Sequence, residues 1–286
     1  MNTYIDRLVD LNHELKSQRE KEATLLYQDQ AVKKAVAQRT DAWKNRVAEK
    51  VPDTLEDTLK KAFSSAFRMA FQAGSTFIDK TYDTDKLKKE YIKKRVVMQT
   101  QGDRFAIKKE RQQGKMRHLK NLGFTATEGI GLGALGIGLP DIPILIGNLV
   151  RICRVTANSY GIDVQRQDEQ IYMLMLIRII LLDNAARAEL QKEMDTLSVS
   201  IEHGEAIVLD FDKEVEKTAN QLAQGMLFSH FIMGLPIVGM AGGLYNTVIV
   251  SRLQQLAEVK YDIRLLERCK NNLVQEYHRE KGELRL

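Results

Sequence analysis

Between Gly129 and Val150 the chain reads GIGLGALGIGLPDIPILIGNLV, 22 residues whose one charged side chain is Asp141. Glycines stand at 129, 131, 133, 136 and 138, and Pro140 and Pro143 follow. A single helix does not tolerate that sequence, because each interior glycine is about 1 kcal/mol worse than alanine and proline removes a backbone donor. The expectation is a short glycine-rich helical hairpin with a break at Leu139 to Pro143. A helix then runs through Ile146, Leu149, Val150, Ile152 and Val155 to Tyr160, closed by Gly161 as its C-cap. Asp141 stands where it can cap that helix.

A second stretch echoes the first. Met226 to Val250 runs for 25 residues without Asp, Glu, Lys or Arg and carries Gly234, Pro236, Gly239, Gly242 and Gly243. Its length alone meets the roughly 20 residues needed to cross hydrocarbon. Pro236 and the clustered glycines divide it into two halves, each too short to span. Both stretches therefore read as broken apolar hairpins, whose small residues allow close packing on one another.

The rest of the chain is helical in its periodicity. Residues 2–50 are mostly polar, with Ile5, Leu8, Leu11, Leu15, Leu25, Leu26, Val32 and Val36 near helical spacing and a thin stripe between Leu15 and Leu25. That pattern suits a long helix lying across a surface or pairing with a partner, so oligomerisation through it is expected. After Pro52, the series Leu55, Leu59, Ala62, Phe63, Ala66, Phe67, Ala70 and Phe71 marks a core helix with buried phenylalanines. Leu87, Tyr91, Ile92 and Val96 fit one amphipathic helix reaching about Met98. Gln170 to about Leu190 reads as a buried helix, and helices follow over 212–231 and 244–277. The fold class is all-α: a compact multi-helix domain with two glycine- and proline-broken apolar hairpins and a long N-terminal helix. Residues 1–50 form the polar helix or helical pair, and 51–286 the all-helical domain.

The 286 residues carry a formal net charge of +5, unevenly placed. Residues 86–120 hold 13 Lys and Arg against 3 Asp and Glu. Such a segment attracts polyanions, either nucleic acid or the anionic headgroups of a membrane inner leaflet. Only Tyr91 and Phe105 are at hand to stack on bases, so nucleic acid is the weaker reading. An anionic membrane surface or a membrane protein is the expected partner, with Lys88, Lys89, Lys93, Lys94, Arg95, Lys108 and Lys109 as contact residues. Cys153 and Cys269 make no CxxC pair, and no cleavable signal sequence is legible at the start of the chain.

Catalytic motifs are sparse. Gly131 to Gly136 matches GxGxxG, but no strand precedes it and no β-α-β pattern surrounds it, so close helix packing is the better reading. His13, His118, His203, His230 and His278 are scattered, with no HExxH and no ExxH. Neither a metal nor a cofactor is expected, and Cys153 reads as a buried, inert thiol. Polar residues in awkward apolar settings include Glu128, Asp141, Asn148, Arg151, Arg154, Asp163 and Arg178. A buried charge must be paired, and Arg178 is expected to meet Asp183 or Asp163. As an enzyme, the chain would draw on Glu128, Asp141 and Asp163, with Arg151 holding a phosphate-like group.

Taken in order, Thr127-Glu128-Gly129, Leu132-Gly133, Gly138-Leu139-Pro140-Asp141-Ile142-Pro143, Arg151-Ile152, Tyr160-Gly161-Ile162-Asp163 and Glu169 resemble the signature of the EcsC family of bacterial proteins. Leu235-Pro236-Ile237-Val238-Gly239, Gly242-Gly243, Asn246 and Arg264-Leu265-Leu266-Glu267 look like its C-terminal block. The resemblance covers about residues 35–270. It implies a helical domain, a cytoplasmic placement and association with the inner face of the membrane or a membrane partner. No secure catalytic assignment comes with it. The reading favoured on these grounds is a non-enzymatic, membrane-associated accessory or interaction protein.

Overall fold

Nine consecutive residues, Ile171 to Ile179, are buried on every side of their helix. A helix buried all round its circumference belongs at the centre of a bundle, and that is its place here. The computed structural model describes residues 2–27, 53–72, 75–80, 82–96, 141–182, 184–233 and 244–282. They form α1 (Asn2–Tyr27), α2 (Asp53–Phe71), α3 (Ser75–Lys80), α4 (Thr84–Val96), α5 (Asp141–Asn158), α6 (Gln167–Ile179), α7 (Asn184–His203), α8 (Phe211–Met233) and α9 (Leu244–Glu280), with no strand among the described residues. The all-α class is as read from the periodicity. The central helix is α6, which touches α5, α7, α8 and α9.

The second shell closes around it. Leu59, Phe63, Ala66, Phe67 and Ala70 put one face of α2 in the core, between α5 and α8. Phe63 and Phe67 are fully buried, and Phe71 meets Phe211 of α8 edge-on with ring centroids 5.6 Å apart. Along α9, α1 packs antiparallel: Tyr4 stacks edge-on against Tyr277 near one end, and Glu22 meets Lys260 near the other. The thin apolar stripe of α1 is thus completed within the same chain. Leu11, Leu15 and Leu26 share the buried face with Glu14, Gln18 and Glu22, and Arg187 of α7 donates to the carbonyls of Leu26 and Leu182.

Helix ends follow local rules with two corrections. Pro143 sits in the first turn of α5, where a missing N–H forfeits no helical bond. At the other end Gly161 takes φ +70°, and the Ile162 amide reaches back to the Ala157 carbonyl at 3.1 Å, a left-handed C-cap as the sequence suggests. The helix expected from Gln170 to Leu190 is in fact two. Its first part stops at Ile179, Leu181 N–H turns back to the Arg178 carbonyl, and α7 starts at Asn184, a helix-starting residue type. The buried face of α4 also differs from expectation. Leu87, Glu90 and Lys94 are buried, whereas Ile92 and Val96 are 57% and 48% exposed.

Residues 129–140 and 234–243, where the two hairpins are expected to break, lie outside the described residues, as do residues 28–50 of the expected N-terminal helix or helical pair. Among the described residues no helix is long and apolar enough to cross a membrane.

Candidate functional site

Two features stand out from the packed interior: the outer face of α4 and a set of buried charges. On α4, Leu87, Glu90 and Lys94 turn toward the body of the molecule, with Tyr91 partly buried beside them. Lys88, Lys89, Lys93 and Arg95 are exposed. Lys94 therefore leaves the expected basic patch. Its ammonium lies 3.9 Å from the centre of the Tyr160 ring and 3.5 Å from the Ser159 carbonyl, 4% exposed. A cation over an aromatic face, next to the C-terminal end of α5, is held by quadrupole and helix dipole together. Lys108 and Lys109 lie outside the described residues.

The carboxylates proposed for catalysis are not gathered. Asp141 begins α5 and Asp163 follows its far end, so about 25 Å of helix lies between the two ends at 1.5 Å per residue. Asp163 is exposed, and its Oδ1 accepts from the Gln165 amide at 3.0 Å, an ordinary turn contact. Glu128 lies outside the described residues. Arg151 is in the middle of α5, 8% exposed, and desolvation draws its pKa below the usual arginine value. Cys153 is wholly buried, and desolvation pushes its thiol well up, which suits an inert side chain. His203 faces Glu205 at 3.6 Å, both well exposed, in a solvated turn. Among the described residues no three His, Cys, Asp or Glu side chains gather as metal ligands.

The charges that do meet are others. Arg264 of α9 grips Glu169 of α6 with both terminal nitrogens, at 2.8 and 2.6 Å, and reaches Glu202 of α7 at 2.8 and 3.1 Å. Arg268, one turn on, takes both oxygens of the same Glu202 at 2.8 Å. The rings of Tyr172 and Tyr261 flank the Arg264 guanidinium at 5.0 and 5.6 Å. One turn back along α9, Lys260 is 2% exposed and pairs with Glu22 of α1 and, at 2.9 Å, with Asp195 of α7. Burial works to raise Glu202, yet the hydrogen bond and charge of Arg268 and the charge of Arg264 outweigh it and hold the carboxyl below its usual range. For Lys260 burial works downward, and Tyr172, Glu22 and Asp195 turn the balance upward. Each of these charges has an opposite one within reach, and the network ties α1, α6, α7 and α9 together.

On the opposite side of α6, Arg178 pairs with Glu214 of α8 at 2.8 Å; Asp183, one of its two expected partners, lies outside the described residues. The sequence carried a signal for the α9 charges that periodicity alone did not decode. Lys260, Asp262 and Arg264 alternate with Tyr261, Ile263 and Leu265, which leaves α9 no purely apolar face in this stretch. Glu169 and Arg264 belong to the blocks that resemble the EcsC signature.

The family model that matches the chain is that of the EcsC protein family, over residues 13–266. Its first matched residue lies inside α1, so the family match takes in most of the helix that packs on α9. No curated protein and no solved structure matches the chain.

Proposed function

The chain belongs to the EcsC protein family, and we propose that it is a non-enzymatic accessory protein that docks on an anionic membrane surface through the outer face of α4. One observation carries the reading. Ile92 and Val96, one turn and about 40° apart on the helix, are exposed at the centre of this face. Lys88 and Arg95 flank them on one side, and Lys89 and Lys93 on the other. Apolar side chains between cations suit the boundary of headgroups and acyl chains, where the aliphatic groups insert and the cations remain with the phosphates. Each cation near an anionic leaflet contributes about 1 kcal/mol, screened by salt.

The charge-matched interior of α1, α6, α7 and α9 supports an accessory role over a catalytic one, since it presents paired rather than reactive groups. In this reading the protein is cytoplasmic and peripheral on the inner face. Co-sedimentation with vesicles containing phosphatidylglycerol, against vesicles of phosphatidylcholine alone, tests it. Binding to the anionic vesicles that fades with added salt is expected, and failure to bind either kind rejects the reading.

A further inference from the structure

Helices α7 and α8 are joined by a stretch that is neither helix nor turn. It leaves α7 through Gly204, at φ +69°, where the Glu205 amide still reaches back to the Ser200 carbonyl at 2.9 Å. It enters α8 at Asp210, whose Oδ1 accepts from the Lys213 amide at 2.9 Å and whose carbonyl accepts from the Glu214 amide at 3.1 Å. Between these anchors the chain reads Glu205-Ala206-Ile207-Val208-Leu209-Asp210, without a bend. Among the described residues no hydrogen bond engages the backbone of Ala206, Ile207, Val208 or Leu209.

Side chains along the stretch alternate. Ile207 and Leu209 line an open recess of about 300 Å³ with Ile171, Arg166, Asp168 and Glu205, while Val208 between them is 97% exposed. A period of two is that of an extended strand, and valine and isoleucine suit one. A strand whose backbone groups are bare is a template for a further strand, with main-chain hydrogen bonds giving affinity and a recess taking alternate side chains.

Charge selects what can pair there. Residues 204–212 hold Glu205, Asp210 and Asp212 and no Lys or Arg. Of the cations nearby, Arg166 is taken by Asp168 and Arg68 by Asp212, while His203 lies 3.6 Å from Glu205. Glu205 and Asp210 thus bracket the apolar residues with negative charge, which opposes an anionic leaflet. A second copy of the stretch, paired antiparallel along its whole length, would set Glu205 opposite Asp210, and like charges directly opposite are unfavourable.

We propose that residues 206–209 are a docking edge for an extended segment of a partner protein, one that carries alternate apolar residues with lysine or arginine at both ends. The segment adds as a strand beside Val208 and seats a side chain in the recess, and its cations meet Glu205 and Asp210. This edge is separate from the outer face of α4 and stands whether or not that face binds membranes.

The full chain is titrated into a fluorescent synthetic peptide of alternating valine and threonine with lysines at both ends, and anisotropy is followed. Saturable binding is expected, severalfold weaker when the lysines are replaced by glutamates. Two further peptides carry N-methyl groups at every second residue, in one phase or the other. Only one edge of a strand faces the chain, so one of the two should fail to bind. Glu205→Lys, at an exposed position, should weaken the lysine peptide and strengthen the glutamate one. Leu209→Ser should weaken both. The N-methylated peptides keep the test open should either variant not fold. No saturable binding, equal binding of both N-methylated peptides, or indifference to Glu205→Lys overturns the proposal. So does dimerisation of the chain alone that Leu209→Ser abolishes, which would make the edge a contact between copies. Loss of anionic-vesicle binding in Val208→Asp would assign it to the membrane and likewise overturn it.

Discussion

Glu22 of α1 and Lys260 of α9 are joined in an ion pair with 1% and 2% of their side chains exposed, although 238 positions apart in the chain. The pair replaces what would otherwise be apolar contact between the two longest described helices. It is reinforced by Asp195 of α7 on the lysine and by Gln191 of α7 on the glutamate.

Removing one member of such a pair leaves the other charged and buried, a loss of about 3 kcal/mol. Glu22→Gln and Lys260→Met are each expected to destabilise the chain by roughly that amount, read from urea unfolding. Their double variant should fall well short of the summed losses, because neither charge is then left alone. Additive losses would show that the two residues do not interact.

Acid should weaken the α7–α9 junction. The folded-state pKa of Glu202 lies below its usual 4.5, so the unfolded chain binds the proton more readily. The stabilisation is therefore fully present above about pH 4.5 and disappears as the pH falls through the lower folded value. Glu202→Gln removes this contribution, and unfolding temperatures followed downward from pH 6 should decline less steeply in the variant than in the parent.

Gly161 is constrained twice. Its φ of +70° suits glycine, and a Cβ built there would lie 2.5 Å from the Tyr91 ring of α4. Gly161→Ala should lower stability by roughly 1–2 kcal/mol from the backbone alone, and more from the collision. In a Tyr91→Ala background the same substitution should give only the backbone part, which thermal melts of the four chains can separate.

Exposed and buried lysines of α4 should separate by assay. Replacing Lys88, Lys89, Lys93 and Arg95 with alanine is expected to weaken binding to anionic vesicles and flatten its salt dependence, with little change in unfolding temperature. Ile92→Ser with Val96→Ser should weaken binding and leave the salt dependence in place. Lys94→Ala, by contrast, should lower the unfolding temperature, because its ammonium packs on Tyr160. A Lys94 variant that melts like the parent would contradict the buried placement.

Much of the architecture was readable residue by residue. The 59, 63, 66, 67 and 70 series of α2 lies on its buried face, α6 is buried all round, and Gly161 ends its helix as a left-handed cap. Each depends on neighbours within a turn or two. The register of α4 differs from the expectation because Ile92 and Val96 look like core residues by type, while Glu90 and Lys94 take the inward positions, Lys94 with its ammonium over the Tyr160 ring.

What could be derived from the chain alone was where helices run, how several of them stop and where positive charge accumulates, since propensity, periodicity and composition are local quantities. Which charges become partners was settled by packing. Glu169 with Arg264, Glu22 with Lys260, Arg178 with Glu214 and Arg154 with Asp79 are all joined across helices. A buried charge constrains its surroundings to supply an opposite one. It does not specify the sequence position from which that charge comes, because the distance that matters is measured through the folded core rather than along the backbone.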